Sequence, residues 1–503
     1  MQPQPPPPSA TPTGLVVAGA VFFAVGAYAA FGQRIFGYRP ISGSAAFTVA
    51  WLILVVGGGM VVVDLLFYKS YKNPDADVIA RSEAPQSVIA RSEATKQSAA
   101  GERLPRGFAA RNDAAEARLP RGFAARNDGG RASLRGPKGP EAISPAKPQY
   151  SLPRTLKKWL GLHLTLAVIA FCYWTLREYQ GDFFHPFFRI AQIIFPIFSV
   201  ISLPYIAWVD ARMREPHDAY YLIGHQFTTG LSTLILKRQW SLTYSQIHEH
   251  LLGWIVKGFF TPLMFGFAVN NAHALFRFEP QGLSFQKIFE VSLTTLYFID
   301  CIWPAAGYVF ALRLTDSHIR SSQPTWQGWV AALICYEPFS RGVWPSYMAY
   351  ESQQTWLQWL GPDGAAAQAL RYSALPPEAA ATLAQTFYVT WGVAILVLIA
   401  VYTWATMSFG LRFSNLTHRG IITSGPYRFL KHPAYLCKNL SWWLISMPFM
   451  LSTTWQDSLR HCAMLLLANV VYYWRAKTEE KHLLSDRNYQ AYAASFHSKS
   501  ATL

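Results

Sequence analysis

Residues able to bind and orient a small polar ligand concentrate in one short stretch, 419–435. It reads R-G-I-I-T-S-G-P-Y-R-F-L-K-H-P-A-Y. Gly425-Pro426 predicts a turn, because Gly tolerates a positive φ and Pro presets φ near about −65°. Pro433 suits the first turn of a helix, where a missing N–H costs nothing. We therefore expect the next helix to begin at His432-Pro433.

The polar stretch is followed by an apolar helical hairpin, and charged residues lie at both ends of that hairpin. Arg428 and Lys431 flank the predicted helix start, whose free N–H groups favour an anion such as a carboxylate. Beyond the hairpin, W-R-A-K-T-E-E-K-H-L-L places Arg475 and Glu479 at i, i+4 on one helical face. Glu480 points about 100° away from Glu479. Two such clusters can close over one ligand at a membrane surface.

The order of these motifs resembles the isoprenylcysteine carboxyl methyltransferase family, and bacterial phospholipid methyltransferases share the pattern. The resemblance rests on G-P-Y-R-x-x-K-H-P-x-Y, a helical hairpin, R-x-x-x-E-E-x-x-L, and a Y-x-x-Y formed by Tyr489 and Tyr492. It covers roughly residues 407–496. The sequence departs from the family where Lys431 replaces the usual Arg and where residues 485–488 lack the Gly usually found before the first Tyr.

The resemblance implies an integral membrane methyltransferase that uses S-adenosylmethionine and acts on a lipid or another lipophilic acceptor, at a carboxyl oxygen or an amine nitrogen. It implies a catalytic role for Arg475 and Glu479, with Arg475 orienting a glutamate or an anionic acceptor. The donor would be held by Gly425, Pro426, Tyr427, His432, Pro433, Tyr435 and Glu480.

Taken singly, these residues have structural interpretations. His432 before a Pro is typical of a helix cap, Tyr435 of an aromatic belt at the membrane interface, and Arg475–Glu479 of a solvated ion pair. A membrane reductase of the sterol reductase type carries a similar turn, but with H-P-N-Y-x-G, where this chain has Ala434 after the Pro. A transport or assembly scaffold with a vestigial site is the third interpretation.

Composition predicts an all-α, polytopic membrane protein. Of 503 residues 51% are hydrophobic and only 14% charged, against about 25% charged in soluble proteins. The net charge of +16 is attributed to cytoplasmic loops and anionic lipid headgroups rather than to nucleic acid. The five cysteines show no paired spacing and His248-Glu249-His250 places its histidines on different helical faces, so neither disulfides nor a metal site is expected.

Apolar runs predict about ten transmembrane helices. They lie near 14–32, 45–67, 157–176, 188–210, 249–272, 288–312, 326–349, 385–407, 436–452 and 455–476. We expect four parts: an N-terminal hairpin (1–70), an insertion (71–150), a helical bundle of unknown role (151–384) and a methyltransferase core (385–503).

The insertion repeats V-I-A-R-S-E-A and R-L-P-R-G-F-A-A-R-N-D without a periodic apolar core. It resembles translated copies of an interspersed bacterial DNA repeat, so we expect a disordered, dispensable linker; the alternative is a basic arm for nucleic acid or lipid. The basic residues of the shorter loops fall on one side of the ten helices, which predicts cytoplasmic termini and, given the repeat, a bacterial inner membrane.

Overall fold

A computed structural model of the protein describes residues 12–35, 45–68, 150–213, 216–233, 244–279, 281–341, 343–344, 350, 355–450 and 454–500. Residues 1–11 and 69–149, which include most of the predicted tail and insertion, lie outside this description. The described residues belong to one compact unit.

Helices form nearly all regular structure in the described residues. In chain order they are α1 (Pro12–Ile35), α2 (Ala45–Val63), α3 (Leu152–Thr175), α4 (His185–Asp210), α5 (Ala219–Thr233), α6 (Tyr244–Arg277), α7 (Phe285–Val309), α8 (Trp326–Leu333), α9 (Trp356–Leu360), α10 (Ala365–Arg371), α11 (Pro377–Ser408), α12 (Pro433–Ser446), α13 (Trp455–Leu483) and α14 (Arg487–Ser500). Two strands of two residues each, β1 (Ser321–Ser322) and β2 (Thr417–His418), pair antiparallel.

The all-α membrane class is confirmed. Within the described ranges, 6 helices are long and apolar enough to cross a bilayer: α2, α3, α4, α6, α7 and α11. Of the other predicted spans, α1 has a shorter apolar stretch, Leu15–Ala27. Helix α12 has 14 residues, which is about 21 Å of helix against a hydrocarbon core of about 30 Å. Helix α13 has 29 residues but carries the charged cluster at its end.

The prediction of one spanning helix over 326–349 is wrong. Helix α8 ends at Leu333, and the described residues that follow it, 334–341 and 343–344, form turns. Pro338 has no N–H for a helical hydrogen bond and clashes with the preceding turn, so it interrupts an apolar run that composition alone would extend. Arg341 and Glu337 form an exposed ion pair of 2.8 Å on one of these turns.

Helix α7 joins the N-terminal bundle to the C-terminal helices. One end of its buried face, with Trp303 and Ile302, packs into a core that α2 and α6 complete with Met60 and Phe260. Phe289, nearer the other end, belongs to a second cluster built with α9 and α11. This helix therefore fixes α11, and α11 leads directly into the loop that carries the polar stretch.

The start of the polar stretch is tied down at β2. Arg419, which follows β2, is buried and its guanidinium donates to the carbonyl oxygens of Ser317 at 2.6 Å and Gly307 at 2.9 Å. Such a buried cation is stable only when its donors find acceptors. Arg419 therefore fixes the start of the polar stretch to the end of α7 and to the loop that follows it.

Candidate active site

The turn predicted at Gly425-Pro426 is confirmed. Residues Gly425–Arg428 form one turn of 3-10 helix, and Gly425 has a φ of 61°. A Cβ atom at position 425 would lie 2.6 Å from Ser408 Oγ, so both backbone conformation and space require Gly here. Pro426 and Tyr427 are buried, with the Tyr427 ring 5.1 Å from that of Phe409.

Helix α12 begins at Pro433, as predicted, with His432 at the N-cap position. The imidazole makes no capping hydrogen bond. Instead, Glu480 Oε1 on α13 accepts a hydrogen bond from His432 Nε2 over 3.1 Å. His432 therefore occupies the N-cap position, but its side chain does not cap the helix. The side chain connects α12 to α13 instead.

A second connection lies one helical turn further along. Tyr435 OH donates to Glu479 Oε1 over 2.5 Å. The rings of His432 and Tyr435 are stacked, with centroids 5.5 Å apart and planes inclined by 4°. The adjacent glutamates, which diverge on α13, therefore reach two residues of one α12 face.

Arg475 anchors the second connection. It is 3% exposed, and its Nε donates to Glu479 Oε1 over 3.2 Å while Nη2 donates to Asn415 Oδ1 over 2.6 Å. Its guanidinium lies 5.0 Å from the Tyr435 ring centroid, within cation–π range. A solvated ion pair does not have these contacts, so Arg475 fixes Glu479 in place.

Two hydrogen bonds determine the ionisation of Glu480. Hydrogen bonds from His432 and, over 3.0 Å, from Lys477 Nζ lower the pKa of Glu480 to about 2. Glu480 is therefore ionised at neutral pH, and its side chain remains 19% exposed. Its negative charge near the end of α13 is shared with His432 and Lys477, and Glu479 bonds to Tyr435 and Arg475.

The C-terminal helix α14 packs back on the turn. Tyr492 OH donates to the carbonyl oxygen of Tyr427 over 2.7 Å. Lys431 Nζ lies 5.9 Å from the Phe496 ring centroid. The Lys that replaces the usual Arg thus contacts an aromatic side chain of α14.

The missing Gly after α13 has a structural substitute. Asp486 Oδ1 accepts a hydrogen bond from the Asn488 N–H over 2.7 Å, so it acts as the N-cap of α14. Asp486 also lies 3.3 Å from His418 Nε2 at the end of β2. A carboxylate cap therefore makes the turn in this chain, and it links the turn to the loop before the polar stretch.

The structure brings five sequence-predicted side chains into one connected group: His432, Tyr435, Arg475, Glu479 and Glu480. The other predicted residues shape the backbone beside that group. Gly425 and Pro426 make the turn, Tyr427 packs beneath it, and Pro433 starts α12.

Sequence reasoning missed two residues. Asn415 holds Arg475, and its own N–H donates to Tyr308 OH over 2.9 Å. Ser424 Oγ is buried with no hydrogen-bond partner among the described residues. Only the position of Ser424 directly before Gly425 gives a signal, since residues that begin such turns commonly carry hydroxyls.

The His248-Glu249-His250 triplet is engaged elsewhere. The carboxylate of Glu249 accepts from the Ser322 N–H over 3.0 Å, and His250 Nε2 lies 3.1 Å from Thr165 Oγ1. In the part of the chain that the structure describes, no three His, Cys, Asp or Glu side chains are grouped as metal ligands. All five cysteines are described and none forms a disulfide.

Comparison with curated proteins and with solved structures found no match. A family model, in contrast, matches the region that carries the whole connected group. Residues 388–485, from the middle of α11 to just beyond α13, match the isoprenylcysteine carboxyl methyltransferase (ICMT) family, which confirms the resemblance for the C-terminal part of the chain.

Proposed function

We propose that this protein is an S-adenosylmethionine-dependent methyltransferase that acts on a lipophilic acceptor at the cytoplasmic face of a membrane. The observation that carries the proposal is the pair of connections between α12 and α13, His432–Glu480 and Tyr435–Glu479–Arg475, inside a segment that matches a methyltransferase family. Residues 385–503 would form the catalytic core, and 151–384 a bundle that supports it.

The side chains fit the polar groups of the donor. S-adenosylmethionine has an ammonium and hydroxyls that donate, and a carboxylate that accepts. Glu480 offers an ionised, partly exposed acceptor. Ser424 Oγ is a buried hydroxyl with no partner in the described residues, and buried polar groups are stable only when hydrogen-bonded. Ser424 is the candidate donor and Glu480 the candidate acceptor, and His432, whose Nε2–H donates to Glu480, orients that acceptor.

Methyl transfer needs positioning more than acid–base chemistry. S-adenosylmethionine supplies an electrophilic methyl group on a sulfonium. The protein must hold the acceptor in line with that methyl group and exclude water. Buried Arg475 is a positioning residue, because it fixes Glu479, which in turn fixes the Tyr435 hydroxyl. The stacked His432 and Tyr435 rings keep one wall of the site rigid.

The rival functions lack comparable support. The family match is to methyltransferases rather than to nicotinamide-dependent membrane reductases, and a vestigial scaffold has no need of an ionised Glu480 or a buried Arg475 held by two acceptors. The acceptor atom is either a carboxyl oxygen or an amine nitrogen, and the two are distinguished by whether the methylated product is an ester or an amine.

A transfer assay tests the proposal. Purified protein is incubated with methyl-labelled S-adenosylmethionine and total lipid extract, and label is counted in the organic phase. Base treatment then releases volatile methanol from a methyl ester but not from a methylamine. We expect label above the level of the lipid extract incubated without the protein. The label should be strongly reduced in Glu480→Gln and retained in the control Glu337→Gln, whose carboxylate lies in the turns after α8. No label above background with wild type contradicts the proposal.

A further inference from the structure

Lys438 on α12 lies inside a cage of aromatic rings next to the candidate active site. Its Nζ is 5.4 Å from the ring centroid of Trp442, 5.5 Å from that of Tyr402 and 5.8 Å from that of Tyr472. These rings come from α12, α11 and α13, so three helices converge on one ammonium group. The contacts are within cation–π range.

The carboxylate of Asp300 does not bond to this ammonium. Asp300, on α7, is half-buried, and its two carboxylate oxygens accept from Tyr402 OH at 2.5 Å and Thr406 Oγ1 at 2.7 Å. Among the described residues Lys438 has neither an ion pair nor a hydrogen bond to a carboxylate. Asp300 interacts with the ammonium through space, while both of its hydrogen bonds are made with hydroxyls.

The cage and the candidate active site share a wall. The Tyr472 ring is 5.4 Å from Trp442 and 5.5 Å from Tyr435. Tyr435 in turn donates to Glu479. The Tyr472 ring therefore lies between Lys438 and the group that we assign to methyl transfer. Lys438 is about one helical turn further along α12 than Tyr435.

An ammonium group in an apolar helical bundle is costly unless an anion satisfies it, and such groups are typically functional. The faces of the three rings attract the positive charge. A ring face is, however, a weak hydrogen-bond acceptor for the three N–H groups of the ammonium. Lys438 is half-buried, so it is held in the bundle and is still reachable. This combination is suited to recognition of an anionic group on an apolar ligand.

We propose that Lys438 binds the anionic group of the lipophilic acceptor and thereby selects anionic over neutral or cationic lipids. The inference rests on the proposed function for the identity of the ligand, but the binding itself can be measured without methyl transfer. A carboxylate and a phosphate share this chemistry. An anion held at Lys438 places the head group one ring from Tyr435 and its chain among the apolar helices.

The test is lipid retention by the full-length protein in detergent, measured by native mass spectrometry. The probes are oleate, oleoyl lysophosphatidate, monoolein and oleylamine. Wild type should retain one or both anions in preference to monoolein and oleylamine. Lys438→Met should retain about tenfold less of the preferred anion or worse, since a charge-assisted hydrogen bond is lost, and Lys438→Arg should keep the preference. Preference for oleate assigns a carboxylate, and preference for lysophosphatidate assigns a phosphate.

Lys257→Met is the matched control, because Lys257 also lies on an apolar helix with its Nζ 4.2 Å from the Trp254 ring centroid. It should not change retention. Lys438→Gln carries the same expectation if Lys438→Met does not fold. Equal retention of all four probes by wild type, unchanged anion retention in Lys438→Met or Lys438→Gln, or preferential retention of oleylamine overturns the proposal. Calorimetry of S-adenosylmethionine binding is run in parallel, so a failure of the proposed function is seen separately.

Discussion

The ion pair between Arg475 and Glu479 should be energetically coupled more strongly than an exposed helical pair. Arg475 is 3% exposed and Glu479 29% exposed. Breaking a fully buried pair costs about 3–5 kcal/mol, whereas exposed pairs contribute about 0–1 kcal/mol. Glu479 is partly solvated and Arg475 retains Asn415, so we expect Glu479→Gln to cost about 1.5–3 kcal/mol, the range for a hydrogen bond to a charged group.

A double-mutant cycle measures this coupling. Arg475→Met, Glu479→Gln and the double variant are compared by equilibrium unfolding of the purified protein in detergent micelles. Because the two residues share one interaction, the double variant should cost less than the sum by about 1 kcal/mol or more. The control is the exposed pair Arg341–Glu337, 2.8 Å apart and 75% and 46% exposed, which should couple by about 0.5 kcal/mol at most.

Equal coupling energies for the two pairs would refute the reasoning. That result would mean that burial of Arg475 against Asn415 and Tyr435 adds nothing to a surface ion pair. Glu479 would then not be held in place by Arg475, and its role in positioning Tyr435 would have no structural basis.

Three further predictions address the same region. His432→Ala and Glu480→Gln should each weaken S-adenosylmethionine binding by about tenfold to 150-fold and should be non-additive, as calorimetry can measure, with Glu337→Gln unchanged. The pKa of Glu480 is lowered from 4.5 to about 2, so the stability that its ionised form contributes is complete above pH 4.5 and lost as the pH falls toward 2. In Glu480→Gln the free energy of unfolding should lack this acid-dependent decrease. An identical pH profile for wild type and variant contradicts the prediction. Deleting residues 76–146 should leave donor binding and the melting temperature unchanged, because that sequence has no apolar run to bury; failure to insert contradicts it.

The parts of the site that follow local rules were predictable. Gly425-Pro426 specifies a turn through φ, Pro433 specifies where α12 begins, and the helical repeat makes Glu479 and Glu480 diverge. The structure shows that this divergence matters, because the two carboxylates bond to Tyr435 and His432 respectively.

Contacts between distant segments were not predictable. Asn415 reaches Arg475 across 60 residues and Asp300 reaches Tyr402 across 102, and no local pattern marks either pair. The failed span at 326–349 has a different cause, since apolar composition measures the preference for lipid but not the loss of a backbone donor at Pro338.

Donor binding by the wild-type protein tests the central claim most directly. Calorimetry in detergent is run with S-adenosylmethionine and, separately, with reduced nicotinamide adenine dinucleotide phosphate. The account predicts saturable binding of S-adenosylmethionine that is lost or weakened about tenfold or more in His432→Ala, and no response to the nicotinamide. Tight nicotinamide binding without any response to S-adenosylmethionine would contradict it.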